Sequence, residues 1–288
     1  MLPLNESTLH SIAVIGAHSD VGMISGGGSA QVDPIGGNTI LPPGEGATRW
    51  RDQVWFPTSP LKAIEARAPH AEVQFDAGID PVTAAAAAQN ADVAIVFAYQ
   101  WESEGEDLPS LALPKYRVGE REVDQNAVIA AVAAANPHTV AVLETGSPVT
   151  MPWINTSAVI LEAWQGGNDG ANALGNILFG TVNPSGKLPN TFPLSDEDLP
   201  HVTIAKPPTA IIYDEGAKVG YKWNDAEKKP VLFPFGYGIS FTQYRYVPRF
   251  YARASQHSFQ GGVWKRRPVL RAPAQNGPSL HHRPFLLS

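Results

Sequence analysis

Four near-continuous apolar runs constrain this chain most: Ser11–Gly16, Ala91–Ala98, Thr139–Leu143 and Ala158–Ala163. They lack the polar alternation of a sheet that faces water on one side, and such runs belong to parallel strands buried on both faces. Helix patterns lie between them. Ser59-Pro60 opens a helix through about Arg67, with serine as the cap and proline at the first helical position. Asp80-Pro81 opens an alanine-rich helix to about Asn90 in the same way, and Glu72–Asp76 between them reads as an alternating strand. A third helix spans Val123–Ala135 and stops at Asn136-Pro137, and a fourth spans Ala171–Phe179, where Asp169 can cap. The prediction is an α/β fold, a mostly parallel sheet flanked by helices on both faces, in other words a three-layer sandwich.

Composition narrows the function classes. The 288 residues allow a sizeable core, and a formal charge of −6 gives no reason to expect nucleic-acid binding. With no cysteine, thiolate chemistry and disulfides are excluded. No apolar run approaches the roughly 18 residues of a membrane span. The start, Met1-Leu2-Pro3-Leu4-Asn5, has neither the basic flank nor the apolar core of a signal peptide. The eight histidines are scattered without a ligand spacing such as H-E-x-x-H, so no metal site and no cofactor is expected.

The basic residues are unevenly placed. Residues 247–288 hold seven of the 21 Lys and Arg and none of the 27 Asp and Glu. With scattered prolines and little periodicity, this segment reads as a disordered or non-native tail beyond a domain at 1–246.

Two loops follow buried strands where an open α/β sheet binds ligands, outside the carboxyl ends of its strands. After the first strand come His18, Asp20, Gly22 and then Gly26-Gly27-Gly28-Ser29. No G-x-G-x-x-G is present, and Gly36-Gly37 and Pro42-Pro43 stand where a nucleotide-binding helix would begin, so the segment reads as a long flexible loop at a binding edge. His18 and Asp20 either line the cleft or bond loop backbone. After the Ala91–Ala98 run comes Trp101-Glu102-Ser103-Glu104-Gly105-Glu106-Asp107, four carboxylates in six residues. Crowding of this kind is expected to raise the pKa of at least one of them, the condition for a general acid near neutral pH. Trp101 offers an apolar or sugar-stacking face, whereas Trp50, Trp55, Trp153 and Trp164 read as packing. A solvated acidic loop is the competing reading. The late aromatic-glycine runs, Tyr213–Gly216, Val219-Gly220-Tyr221 and Phe233–Gly238, read as irregular loops.

Taken in order, these segments resemble the second domain of glycoside hydrolase family 3, the β-glucosidase type, over about residues 1–246. The resemblance rests on Gly26–Ser29, Trp101–Gly105 with Asp107, Leu111-x-Leu113-Pro114, Ala133–Pro137, Gly146-x-Pro148-Val149-x-Met151-Pro152-Trp153, Glu162-Ala163-Trp164, Leu178–Pro189 and Phe233–Gly238. It implies an α/β sandwich following a (β/α)8 barrel that carries an aspartate nucleophile and most contacts to the sugar. It further implies a β-glucoside or cello-oligosaccharide substrate, and an acid/base supplied by this domain's acidic loop. Glu104, in the Ser-Glu-Gly register, matches the acid/base, and Glu102 is the alternative. Asp107 matches the loop aspartate, and Gly28 and Ser29 lie in a turn bordering the aglycone side. Leu108 stands where the family has arginine, Gln165-Gly166-Gly167 stands where it has Tyr-Pro-Gly, and no barrel precedes Met1. Three other readings stay open: a catalytically inert carbohydrate-binding or structural fragment, xyloside specificity in the parent enzyme, and a nucleotide-binding domain.

Overall fold

The computed structural model describes residues 1–23, 25–29, 31, 58–105, 108–202 and 212–242 with their side chains, and 38–40, 53–56 and 285–287 as backbone. Six parallel strands form the main sheet: β1 (Ser11–Ile15), β2 (Glu72–Asp76), β3 (Val93–Tyr99), β4 (Thr139–Glu144), β5 (Val159–Glu162) and β6 (Phe285–Leu287). Their spatial order is β6-β5-β4-β3-β1-β2. From β1 the chain steps outward to β2, then crosses back over β1 to β3 and continues the other way. The strand order thus reverses between β1 and β3, the topological switch point at which such sheets place ligands.

The apolar runs become strands buried on both faces because alternate side chains feed two cores. Ala13, Ile15, Ala94, Val96, Ala141 and Leu143 pack under α2 (Pro81–Gln89) and α3 (Gln125–Ala135). Ile12, Val14, Ile95, Phe97, Val140 and Val142 pack under α1 (Pro60–Arg67) and α4 (Gly170–Leu178). The two helix pairs cover opposite faces, so the expected three-layer sandwich is the observed one.

The expected caps form at α1 and α2. Ser59 accepts the Lys62 N–H at 3.2 Å, and Asp80 accepts the Val82 N–H at 2.9 Å, each satisfying a donor that the first helical turn leaves open. Behind α3, Asn136 Nδ2 donates to the carbonyls of Ala88 and Ala91 at 2.8 and 2.7 Å, tying the end of α2 to the end of α3.

Four local expectations differ. α3 starts at Gln125 because Arg121–Val123 pairs antiparallel with Tyr116–Val118 around Gly119, whose φ of 61° suits glycine, and Asp124 then caps the helix. Asp169 does not bond the backbone of α4; its carboxylate accepts from the Asn172 side chain at 2.7 Å instead. The late segments are more regular than expected, with a helix α5 (Tyr221–Glu227) and Val231–Phe233 pairing antiparallel with Phe192–Pro193. The glycine-rich loop after β1 is not featureless either: Gly22–Met23 and Asn38–Ile40 pair antiparallel on either side of Gln53–Phe56. The tail expectation concerns residues outside the described set, save Phe285–Leu287, which pairs parallel with Ile160–Glu162 of β5. Among the described residues, no helix is long and apolar enough to cross a membrane.

Candidate active site

The two loops singled out in the sequence leave the two strands that flank the switch point. They also touch. Gly27 and Ser103 form a parallel bridge, with the Gly27 N–H donating to the Glu102 carbonyl at 2.8 Å. The acidic loop is therefore laid against the glycine turn as a short extra rung beyond the sheet.

Glycine is required on both sides of that rung. Gly28 sits at φ +89°, and a Cβ there would stand 2.3 Å from the Glu104 Cβ, inside any real contact. A Cβ on Gly26 would stand 2.6 Å from the Glu102 carbonyl oxygen. The close approach lets the Ser29 N–H donate to Glu104 Oε2 at 2.7 Å.

The two glutamates differ in what surrounds them. Glu102 is half-buried; its Oε1 accepts from the Ser147 hydroxyl, and a Cβ on Gly146 would fall 2.6 Å from its Oε2. Ser147 is itself seated by Gln100, whose Oε1 accepts its N–H at 3.2 Å. Glu104 is exposed, and hydrogen bonds from the Ser29 hydroxyl and then the Ser29 N–H hold its carboxyl below the usual range. Glu104 is thus not the raised member of the four: the donors that lower it come from the neighbouring loop.

Raised carboxyls stand nearby, on strand ends rather than on the loop. Burial pushes Glu144, at the end of β4, up to about 8. Burial raises Glu162, at the end of β5, well above the ordinary value, against hydrogen bonds from Trp164 and Thr145. Neither was singled out as titrating in the sequence, because each closes an apolar run and reads there as its polar terminus.

Trp101 is half-buried against Ala17, Met23 and Tyr99. Trp153 is buried, donating to Asn126 at 2.8 Å, and Trp164 packs on Phe192. His18 stacks edge-on against Tyr99 at 5.0 Å, and burial lowers its pKa. Glu106, Asp107 and Trp50 lie outside the described residues, as does the side chain of Trp55. Sequence reasoning missed the pin at the rear of the site, Gln165, whose Oε1 accepts the Gly26 N–H at 2.6 Å. The available signal was its place in the Gln165-Gly166-Gly167 departure. One group among the described residues brings possible metal-ligand atoms within 4.8 Å of one another, His201, Asp214 and Glu215; in the structure they contact one another directly, with His201 Nε2 2.8 Å from Glu215 Oε2.

Residues 1–241 match the model of the glycosyl hydrolase family 3 C-terminal domain. The chain belongs to that family. Among its relatives, a putative β-glucosidase of Schizosaccharomyces pombe is 40% identical over 146 residues, covering 50% of this chain and 17% of the relative. A probable β-glucosidase I of Emericella nidulans is 37% identical over 161 residues, covering 54% of this chain and 18% of the relative. Among solved structures, a β-glucosidase from Streptomyces venezuelae in complex with D-glucose superposes with a TM-score of 0.68 at 26% identity, over 84% of this chain and 42% of that one. A family 3 β-glucosidase of Bifidobacterium adolescentis gives 0.64 at 32% identity, over 83% and 33%. The family 3 domain here spans less than a fifth of the two curated relatives.

Proposed function

We propose that this family 3 domain serves a β-glucosidase-type retaining hydrolase as the source of its acid/base, and that Glu104 is that residue. The supporting observation is position combined with exposure: Glu104 is exposed at the switch point, held by Ser29 of the neighbouring loop, whereas Glu102 is half-buried and engaged with Ser147. Retention requires two carboxyl groups about 5–5.5 Å apart across the sugar. Neighbours on one loop do not face each other in that way, and the family resemblance implies an aspartate nucleophile on a barrel domain. Glu104 gives its proton to the leaving glycosidic oxygen as the glycosyl–enzyme bond forms, then takes one from the water that breaks that bond. The Ser29 donors favour its ionised form, the form in which the second role begins. The first needs the carboxyl raised, which a docked carboxylate nucleophile supplies by like-charge repulsion in a water-poor cleft.

The test uses the full-length parent on an aryl β-glucoside. Glu104→Gln is expected to lower kcat by roughly 10²–10⁴-fold, the usual worth of general acid–base catalysis, with azide restoring turnover because it needs no base. An unchanged rate in Glu104→Gln, with loss in Glu102→Gln, moves the role to Glu102. The second reading, an inert carbohydrate-binding or structural fragment, draws on the small share of its relatives that the chain spans. It predicts sugar binding without turnover, even when a separately made family 3 barrel is added.

A further inference from the structure

His201, Asp214 and Glu215 belong to neither loop of the candidate active site, and the proposed chemistry gives them no role. His201 follows the 3₁₀ turn Asp196–Asp198. Asp214 and Glu215 occupy the turn Tyr213–Gly216, closed by the Gly216 N–H donating to the Tyr213 carbonyl at 3.2 Å. Helix α5 and the residues just after it anchor the first of these segments. The Trp223 indole N–H donates to the Asp198 carbonyl at 2.9 Å, and Lys229 Nζ donates to the Glu197 carbonyl at 3.1 Å.

The contacts within the cluster do not balance. Glu215 Oε2 stands 2.8 Å from His201 Nε2, and Asp214 Oδ1 stands 3.4 Å from the same nitrogen. One imidazole nitrogen carries one hydrogen, so it bonds one of these carboxylates well and not both. Charge is short as well: two carboxylates face at most one positive ring, and neither pairs with a Lys or Arg among the described residues. The Glu215 side chain is only 6% exposed, so water does little to offset the deficit. A divalent cation in place of the shared hydrogen resolves both problems. The three ligand atoms, one nitrogen and two oxygens, lie within 4.8 Å of one another. Ligands about 2.1 Å from a zinc ion stand about 3.4 Å apart in a tetrahedron. His201 and Asp214 already have that separation, and the His201–Glu215 contact opens by roughly half an ångström to match it. The donor set selects the metal, because an imidazole nitrogen favours a first-row transition ion over calcium or magnesium, which take oxygen shells. Asp214, 77% exposed, leaves the cluster open to an entering ion.

We propose that His201, Asp214 and Glu215 form a binding site for a divalent transition-metal ion of the zinc class, which clips the segment carrying His201 to the Tyr213–Gly216 turn. The proposal stands without the acid/base assignment. The sequence did not announce the site because His201 stands well apart from Asp214-Glu215 in the chain, without a short ligand spacing.

The experiment titrates the chelator-treated chain with zinc chloride by calorimetry, and in parallel with calcium and magnesium chloride. The expected result is saturable zinc binding and a denaturant midpoint that rises with zinc concentration, because an ion that binds only the folded arrangement stabilises it. His201→Ala and Glu215→Gln are each expected to weaken zinc binding by roughly tenfold or more. Glu215→Gln keeps an acceptor for His201 while removing the anionic ligand, so a plain hydrogen-bonded pair would not respond to it. Asp214→Asn, at an exposed side chain, reads the same loss where the other variants fail to fold. Absence of saturable zinc binding overturns the proposal, as does zinc binding that survives all three variants, which would place the ion on other histidines. Calcium binding that equals that of zinc and survives His201→Ala overturns it in favour of an acidic surface pair.

Discussion

The Ser29 N–H meets Glu104 Oε2 at 2.7 Å across 75 residues of chain. This bond, with the Ser29 hydroxyl, favours the carboxylate over the acid. Ser29→Ala removes the hydroxyl and leaves the N–H, so the Glu104 pKa is expected to rise toward its ordinary value. A pH titration of the Glu104 side-chain carbonyl by NMR measures it, and a pKa that stays put excludes the hydroxyl as the main cause.

Gly28→Ala places a methyl where only hydrogen fits, at a positive φ and against the Glu104 Cβ. Strain of this kind costs about 1–3 kcal/mol, relieved most cheaply by parting the two loops. Amide exchange at Gly27 and Ser29 is expected to accelerate while the β3 and β4 amides stay protected. Uniform acceleration across the sheet would show that the turn supports the fold as a whole.

Glu144 and Glu162 set a pH dependence of opposite sign to that of most carboxylates. Their folded pKa values are raised, so the stability they allow is full below the unfolded value of 4.5 and is lost as pH climbs through the folded values, about 8 for Glu144. Glu144→Gln stays neutral throughout. Denaturant melts from pH 5 to 8 are expected to fall less steeply in the variant than in the parent chain, and parallel slopes would contradict burial of an ionisable Glu144.

Ile95 is fully buried at the centre of the sheet, under α1 and α4. Ile95→Ala is expected to destabilise the fold by about 2–5 kcal/mol, read as a lowered denaturant midpoint. A cost below about 1 kcal/mol would mean that the core closes over the gap.

What the sequence made legible followed from local physics. β1, β3, β4 and β5 announced themselves because burial on both faces leaves no polar alternation, and Ser59-Pro60 and Asp80-Pro81 because a cap and a proline act within one turn. The hairpin at Tyr116–Val118 and Arg121–Val123 did not, since two three-residue strands carry too few side chains for a period. Helix α5 was masked by the glycines and aromatics around it. At the site, residue types were legible and relations were not: the acidic loop and Gly28 could be named, but the donors that lower Glu104 come from another loop. The roles of Gln165 and Ser147 depend likewise on which strands are neighbours, a property of the sheet order rather than of any segment.

The rung between Gly27 and Ser103 exists only when β1 and β3 lie side by side, because the two loops have no other reason to meet. Its amides thereby report a long-range event in the maturation of the chain. Protection at Ser29 should arrive only once the sheet has closed around its reversal point, so a single backbone hydrogen gauges whether the two loops have been brought together.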